Sequence, residues 1–157
     1  MNIPLIINGE RMMIQANPDS KLLTVLRSMH LYSVKPGCSK GICGSCTVLL
    51  NKKPVPACKL KVALAMNQEV ETLEHFVKSE EYSYIEKGFQ KANIKLCGYC
   101  NAGKIFAAAE ILSKKQKPDR ASIKKQISHL SSCCTDLDTL TNGIIYAADI
   151  RDQVTKG

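Results

Sequence analysis

The sequence predicts an α+β protein whose first half consists mainly of short strands and whose second half is helical. Before about residue 74, short β-rich segments alternate with turn signals, and one segment has the spacing of an amphipathic helix. After about residue 80, apolar residues recur at helical spacing in four successive segments. We therefore expect two domains, 1–76 and 77–157, with their boundary in the segment 74–80.

The first half begins with a hairpin and a helix. Asn8-Gly9 is a strong hairpin signal between two strand-like segments, 3–8 and 11–15. Apolar residues three or four positions apart predict a helix over 22–29, capped by Asp19 or Ser20. Three extended segments should follow, the first two joined by a turn at 51–53; they are 47–50, 55–58 and 70–73.

The second half is predicted to be a small bundle of four helices. Short connections between helices are typical of antiparallel neighbours in such bundles. Gly88 is expected to interrupt the first helix late, and Asp119 is expected to cap the third. The predicted helices are 82–92, 102–115, a segment that contains Ile123 and Ile127, and 135–153.

Composition indicates an ordinary globular chain. The 157 residues are 45% hydrophobic and 23% charged. No basic stretch followed by an apolar run begins the chain, and no run approaches the length of a membrane span. We therefore expect a cytoplasmic protein that does not enter the membrane.

The formal charge of +8 raises the question of an acidic partner. Basic pairs occur at three places, Lys52-Lys53, Lys114-Lys115 and Lys124-Lys125. Aromatic residues are not interleaved with these lysines, and no nucleic-acid-binding motif is present, so nucleic acid is not an expected partner. Solvated helix faces and loop tips are the simpler interpretation, and a surface that docks an acidic partner subunit is the alternative.

Eight cysteines in a reducing compartment favour metal binding over disulfides. Cys38, Cys43 and Cys46 follow C-x4-C-x2-C, and Cys58 comes after eleven intervening residues. This is the spacing of a plant-type [2Fe–2S] site. Three glycines allow positive φ and close approach of backbone N–H groups to sulfur, namely Gly37, Gly41 and Gly44. A zinc site is the rival hypothesis, although only Cys43 and Cys46 form a zinc-like knuckle.

The segment GCSKGICGSCTVLLNKKPVPAC resembles the first-cluster motif of the small iron–sulfur subunits of molybdenum hydroxylases. These include relatives of xanthine dehydrogenase, aldehyde oxidoreductase and nicotinate dehydrogenase. The stretches LLTVLRSMHLYSVKPGC and LCGYCNAGKIF are similar to the family too, so nearly the whole chain is covered. The resemblance implies a plant-ferredoxin-like β-grasp domain followed by a four-helix domain, each with one [2Fe–2S] cluster. It also implies a large molybdopterin-binding partner and a flavin (FAD) subunit.

The resemblance implies a second ligand set that departs from the family pattern. Cys97, Gly98 and Cys100 match the family's C-G-x-C element. Where the family then has C-x-C, this sequence has Ser132-Cys133-Cys134. Three hypotheses follow. Cys133 and Cys134 could both bind the cluster through an irregular turn, Ser132 could replace Cys133 as ligand, or the cluster could be labile or absent.

Other positions also depart from the family. Leu96 stands where the family typically has a Gln that the resemblance places against the pterin, and Leu cannot make that hydrogen bond. Asn101-Ala102 replaces Thr-Pro. The histidines, His30, His75 and His129, are scattered, and no substrate-transforming site is evident.

The resemblance therefore implies electron transfer in an oxidoreductase whose large subunit hydroxylates a purine, N-heterocycle or aldehyde. Electrons would pass from the molybdopterin centre to the helical-domain cluster, then to the first cluster, and then to flavin or another acceptor. The alternatives are a stand-alone two-cluster ferredoxin-like carrier and a zinc-stapled scaffold subunit.

Overall fold

The computed structural model describes residues 2–36, 44–96, 98, 101–114, 117–130 and 134–156. Within these ranges the strands are β1 (Asn2–Ile7), β2 (Glu10–Gln15), β3 (Thr47–Leu50), β4 (Lys53–Pro56) and β5 (Glu69–Glu71). The α-helices are α1 (Leu22–Ser28), α2 (Leu73–Phe76), α3 (Glu80–Lys91), α4 (Asn101–Leu112), α5 (Arg120–Ile127) and α6 (Leu137–Lys156). A 3₁₀ helix spans Val62–Ala65. The predicted α+β class is confirmed.

The five strands form one mixed sheet in the order β2-β1-β5-β3-β4. β1 and β2 pair antiparallel around Asn8 and Gly9, which have φ values of 52° and 85°. Both residues therefore adopt the positive φ that a tight two-residue hairpin requires. β5 lies in the middle of the sheet, parallel to β1 and antiparallel to β3. The predicted first hairpin is confirmed.

The last two predicted strands are displaced from their expected positions. β4 covers Lys53–Pro56 rather than 55–58, because Asn51 and Lys52 alone form the turn, with φ values of 51° and 70°. Pro54 and Pro56 are tolerated because β4 is an edge strand. The predicted strand over 70–73 ends at Glu71, since α2 begins two residues later.

The predicted side-chain cap of α1 is wrong. Neither Asp19 nor Ser20 caps this helix, and Lys21 occupies the N-cap position without a capping side chain. The first N–H groups are satisfied by distant backbone instead: Leu22 donates to the carbonyl of Leu60 at 2.7 Å, and Leu23 to that of Ala57 at 3.1 Å. The start of α1 is therefore tied to the segment around Cys58.

Three helices of the second half, α3, α5 and α6, begin at a residue whose side chain caps the helix. Asp119 caps α5 as predicted, with its carboxylate accepting from the Ser122 N–H at 2.6 Å. Ser79 caps α3 in the same way. α6 begins at Leu137 rather than 135, because the Asp136 carboxylate accepts from the Thr139 N–H at 2.7 Å. In the described part of the chain, no helix combines the length and apolar character needed to cross a bilayer.

Two apolar cores meet at β3 and α4. Successive side chains of a strand point to opposite faces. Val48 accordingly lies in the sheet core, whereas Leu49 lies in the helical core. Phe76 of α2 meets Phe106 of α4 edge to face, with ring centroids 5.3 Å apart. The short strand β3 thus joins the two halves through both of its faces.

Gly88 does not interrupt its helix, contrary to expectation. It lies within α3 at the crossing with α6. A Cβ atom built there would lie 2.5 Å from the Ala147 nitrogen and 2.6 Å from the Gly143 carbonyl oxygen. The two backbones approach so closely that hydrogen is the only side chain that fits, which explains glycine in the middle of a helix.

We predict that Gly88→Ala destabilises the protein despite the higher helix propensity of alanine. Alanine favours a helix by about 1 kcal/mol. The backbone separation that the new methyl group forces should outweigh this gain and lower the free energy of unfolding by about 1–3 kcal/mol overall. Denaturant unfolding measures the change, and Lys87→Ala on the exposed face of α3 is the control. A more stable Gly88→Ala protein would show that the crossing is looser.

Candidate metal centres

The structure describes three of the eight predicted cysteine ligands. These are Cys46, Cys58 and Cys134. The other five lie outside the described residues: Cys38, Cys43, Cys97, Cys100 and Cys133. Of the four predicted cofactor-binding glycines, Gly44 and Gly98 are described, whereas Gly37 and Gly41 are not. Ser132, the alternative ligand, also lies outside them.

Cys46 and Cys58 come together although eleven residues separate them. Both are buried, with exposures of 2% and 1%. The Cys58 N–H donates to the Cys46 sulfur at 3.4 Å, and the Ala57 N–H donates to the Cys46 carbonyl at 3.2 Å. A thiolate that ligates an iron–sulfur cluster is stabilised by such N–H donors and by burial. The pair therefore fits the chemistry of two cluster ligands.

Gly44 gives the loop before Cys46 its turn. Its φ of 78° is a conformation that glycine adopts without the steric cost of a side chain. The Gly44 carbonyl accepts from the Thr47 N–H at 3.1 Å and from the Thr47 hydroxyl at 2.8 Å. These bonds lock the loop onto the first residue of β3, so Cys46 enters the sheet core in a fixed position.

The segment that leads into the predicted first site is held from three sides. Ser33 donates its N–H to the Glu74 carboxylate at 2.9 Å and its hydroxyl to the other carboxylate oxygen. The Arg27 guanidinium donates to the Val34 carbonyl at 3.0 Å. The Lys35 N–H donates to the Ser45 carbonyl at 3.0 Å. The chain is therefore fixed immediately before the segment that contains Cys38.

The environment of Glu74 favours its charged form. Partial burial acts to raise the pKa of this carboxyl, but the hydrogen bonds from Ser33 outweigh it and bring the pKa below the ordinary value of 4.5. Nothing in the local sequence marks Glu74, because its partner lies 41 residues away. Local sequence therefore gives no signal for this anchor.

The start of α4 packs directly against the first loop. A Cβ atom on Gly103 would lie 3.0 Å from the Gly44 Cα, and one on Gly44 would lie 3.2 Å from the Gly103 Cα. Gly103 follows Cys100 by three positions, and Gly44 directly follows Cys43. This backbone-to-backbone contact therefore joins the residue that follows the first cysteine motif to the first turn of α4.

Three described residues near the C-G-x-C element are wholly or partly buried, and two of them, Leu96 and Asn101, depart from the family pattern. Leu96 is half-buried against the helical core. The Asn101 side-chain oxygen is buried and has no hydrogen-bond partner in the part of the chain that the structure describes. Lys104, in the first turn of α4, is only 2% exposed. A buried lysine beside a cysteine motif was also missed, because helical spacing alone gives no reason to expect it.

Cys134 lies in an irregular turn before α6. Its φ of 72° is unusual for a residue with a side chain, and the residue is exposed. Two residues later Asp136 caps α6, and the Thr139 N–H lowers the pKa of the Asp136 carboxyl.

Of the three histidines, His129 is exposed and lines a cavity of about 250 Å³ that is also lined by Gly44 and Gly103.

Two known domain families match the chain in tandem. The "2Fe-2S iron-sulfur cluster binding domain" matches residues 5–74. The "[2Fe-2S] binding domain" matches residues 72–145. Both halves of the chain therefore belong to families that bind [2Fe–2S] clusters.

Similar proteins cover nearly the entire chain. The nicotinate dehydrogenase small FeS subunit of Eubacterium barkeri is 34% identical, over 95% of this chain and 96% of its own length. The xanthine dehydrogenase iron-sulfur-binding subunit of Escherichia coli O157:H7 is 31% identical, over 92% of each chain. A chain of quinoline 2-oxidoreductase from Pseudomonas putida 86 superposes with a TM-score of 0.85 and 28% identity, covering 98% of this chain and 96% of its own.

A mixed sheet followed by helices, with a [2Fe–2S]-binding family matched in each half, defines the class of iron–sulfur proteins. The chain belongs to the family of small iron–sulfur subunits of molybdenum hydroxylases. It is the electron-transfer subunit of a multi-subunit oxidoreductase.

We predict that Glu74→Gln makes the protein less stable at neutral pH only. A group whose pKa is lower in the folded state stabilises the fold above its unfolded pKa, and this stabilisation is lost as the pH falls through the folded pKa. The pKa of Glu74 is lowered from 4.5, so the variant should have a Tm about 2–4 °C lower at neutral pH and an equal Tm in acid below the folded-state pKa.

Thermal melts followed by circular dichroism at both pH values provide the test. Glu10→Gln, at an exposed position of β2, is the matched control and should leave Tm unchanged. A Tm difference for Glu74→Gln that persists undiminished in acid would contradict the assigned role of the carboxylate.

Proposed function

We propose that Cys38, Cys43, Cys46 and Cys58 hold one [2Fe–2S] cluster within a domain that spans residues 1–76. The observation that carries this proposal is the buried pair Cys46 and Cys58, with an N–H···S bond of 3.4 Å between them. The C-x4-C-x2-C spacing supplies the other two thiolates from the same loop. Gly37, Gly41 and Gly44 leave room for backbone N–H groups to approach the sulfurs.

The second cluster is assigned to the domain 77–157, with Cys97, Cys100, Cys133 and Cys134 as ligands. The positive φ of Cys134 supports this set, because two adjacent cysteines can direct their sulfurs to one cluster only through an irregular turn. Gly98 belongs to the proposed site as the glycine of the C-G-x-C element, and among the described residues nothing lies within 4 Å of a Cβ built there. Ser132 is the alternative to Cys133.

Each cluster, when bound, accepts and releases one electron at a time. The protein itself positions the ligands and sets the surrounding charge. The Cys58 N–H and the buried positions of Cys46 and Cys58 stabilise thiolate sulfur at the first site. Lys104 is buried four residues after Cys100, in the helix that follows the proposed second-cluster motif. The contact of Gly44 with Gly103 supports two neighbouring sites, because Gly44 directly follows Cys43 and Gly103 follows Cys100 by three residues.

The partners follow from the relatives that this chain resembles. We assign it a large molybdopterin-binding subunit that hydroxylates an N-heterocycle, purine or aldehyde, and a flavin subunit as electron acceptor. Nicotinate, xanthine and quinoline occur in the names of the similar proteins. Electrons would enter at the helical domain and leave from the sheet domain, in the cytoplasm.

We predict that Cys58→Ala removes one of two [2Fe–2S] EPR signals of the reduced, full-length chain. Cys58 is the only ligand of its proposed quartet outside the loop 38–46, so its loss leaves that cluster with three thiolates. Cys100→Ala is the matched variant and should remove the other signal. Retention of both signals in Cys58→Ala would show that the first ligand set is assigned wrongly.

The ligand at the altered motif can be identified with two substitutions. If both adjacent cysteines bind iron, Cys133→Ala should lower the iron content by about half and remove the second EPR signal. Ser132→Ala should then leave iron content and EPR signals unchanged. The opposite result, with loss of iron in Ser132→Ala alone, would assign the serine hydroxyl as the fourth ligand.

A further inference from the structure

A cleft between the sheet and the helical half is lined by four lysines. Lys52 and Lys53 lie at the β3–β4 turn, Lys114 follows α4, and Lys125 lies on α5. The cleft has a volume of about 740 Å³, and Glu110 is its one acidic residue among the described lining residues. We call these four lysines and the space between them the basic cleft.

The lysines of the basic cleft make no ion pairs within the described part of the chain. Lysines elsewhere do: Lys61 pairs with Asp19 at 3.1 Å and Lys117 with Asp149 at 2.9 Å. Even Lys124, which neighbours Lys125 in sequence, pairs with Asp138. Uncompensated like charges around a concave surface focus a positive potential there. The four lysines are exposed, as the sequence predicts, and the cleft brings them together around one concave surface.

One wall of the basic cleft is rigid. The Asn51 side chain accepts from the Glu69 N–H at 3.0 Å and donates to the Gln68 side chain at 2.8 Å. The Asn51 N–H donates to the Glu69 carbonyl at 2.8 Å. Lys52 then adopts a φ of 70°, a position at which glycine is usually favoured. The turn therefore presents its two lysines from a backbone fixed to β5.

The basic cleft adjoins the cavity beside the first cysteine loop. Glu110 and Gln126 line both spaces, and the second space reaches Gly44 and Pro56. Gly44 directly follows Cys43, and Pro56 precedes Cys58 by two residues. The basic cleft therefore adjoins a cavity that reaches the residues next to Cys43 and Cys58.

We propose that the basic cleft docks an acidic surface of the protein that accepts electrons from the first cluster. This inference rests on the proposed function, because it assigns a direction to the electron that leaves the sheet domain. A single electron passes from the reduced cluster to the partner's oxidised cofactor, and no bond is made or broken. Charge complementarity selects a carboxylate-rich protein surface, since the unpaired lysines attract it and a concave cleft accommodates protruding side chains.

The first test measures docking with a fluorescein-labelled poly-glutamate peptide and the full-length chain. Fluorescence anisotropy should give an affinity about tenfold lower for the double variant Lys52→Glu/Lys125→Glu at low salt. At high salt, where charges are screened, the affinities should agree within about twofold. The matched control, Lys21→Glu/Lys87→Glu, changes the net charge equally on exposed positions of elements that do not line the cleft.

The second test asks whether the docked site is the electron exit. The reduced chain is oxidised with ferricyanide, an anion, and with hexaammineruthenium(III), a cation, while the first-cluster EPR signal is followed. Bound peptide should slow the reaction with ferricyanide, and the cleft variant should slow it by about tenfold relative to the control variant. The reaction with the cation should not slow in either case.

The two proposals fail in different ways. Equal loss of peptide affinity in the cleft and control variants would overturn the docking site, because it would reflect net charge alone. Peptide binding at the cleft without any effect on ferricyanide oxidation would overturn its role as exit. Absence of iron from the purified, reconstituted chain would instead overturn the proposed function, whatever the peptide result.

Discussion

The contact between Gly44 and Gly103 is the constraint on which the arrangement of the two halves depends. Each glycine lies beside a cysteine motif, and neither position has space for a Cβ without displacing the other backbone. The contact lets α4 lie against the loop before Cys46, while Leu49 joins the helical core from β3. The sheet half and the helical half of the described chain are thereby packed directly against each other.

The buried cysteines and the lysines of the chain have distinct electrostatic environments. Cys46 and Cys58 are buried with an N–H donor directed at sulfur, and Lys104 is buried in the helix that follows Cys100. Burial and the N–H donor at sulfur both favour thiolate ligands at the proposed first site. Three lysines pair with carboxylates, namely Lys61, Lys117 and Lys124, whereas those of the basic cleft make no ion pair with any residue that the structure describes. A chain that carries anionic clusters can thus present a positive surface to its partner.

Local signals made much of the fold predictable, and distant contacts explain where prediction failed. Asn8-Gly9 and Asp119 act through backbone geometry and hydrogen bonds within a few residues, so their hairpin and cap were predicted correctly. The cap of α1 comes instead from carbonyls more than thirty residues away, which no local pattern reveals. The expected helix break at Gly88 is wrong for the same reason, because this glycine allows α3 to cross closely over α6. The cysteine spacing predicted the candidate sites, but the Glu74 anchor depends on tertiary structure.

The measurement that tests the account most directly is the iron, acid-labile sulfide and zinc content of the anaerobically purified full-length chain. Two [2Fe–2S] clusters require about four iron and four sulfide per chain and no stoichiometric zinc. Two iron and two sulfide would show that the altered Ser132-Cys133-Cys134 motif does not hold a cluster. Stoichiometric zinc without sulfide would contradict the electron-transfer account entirely.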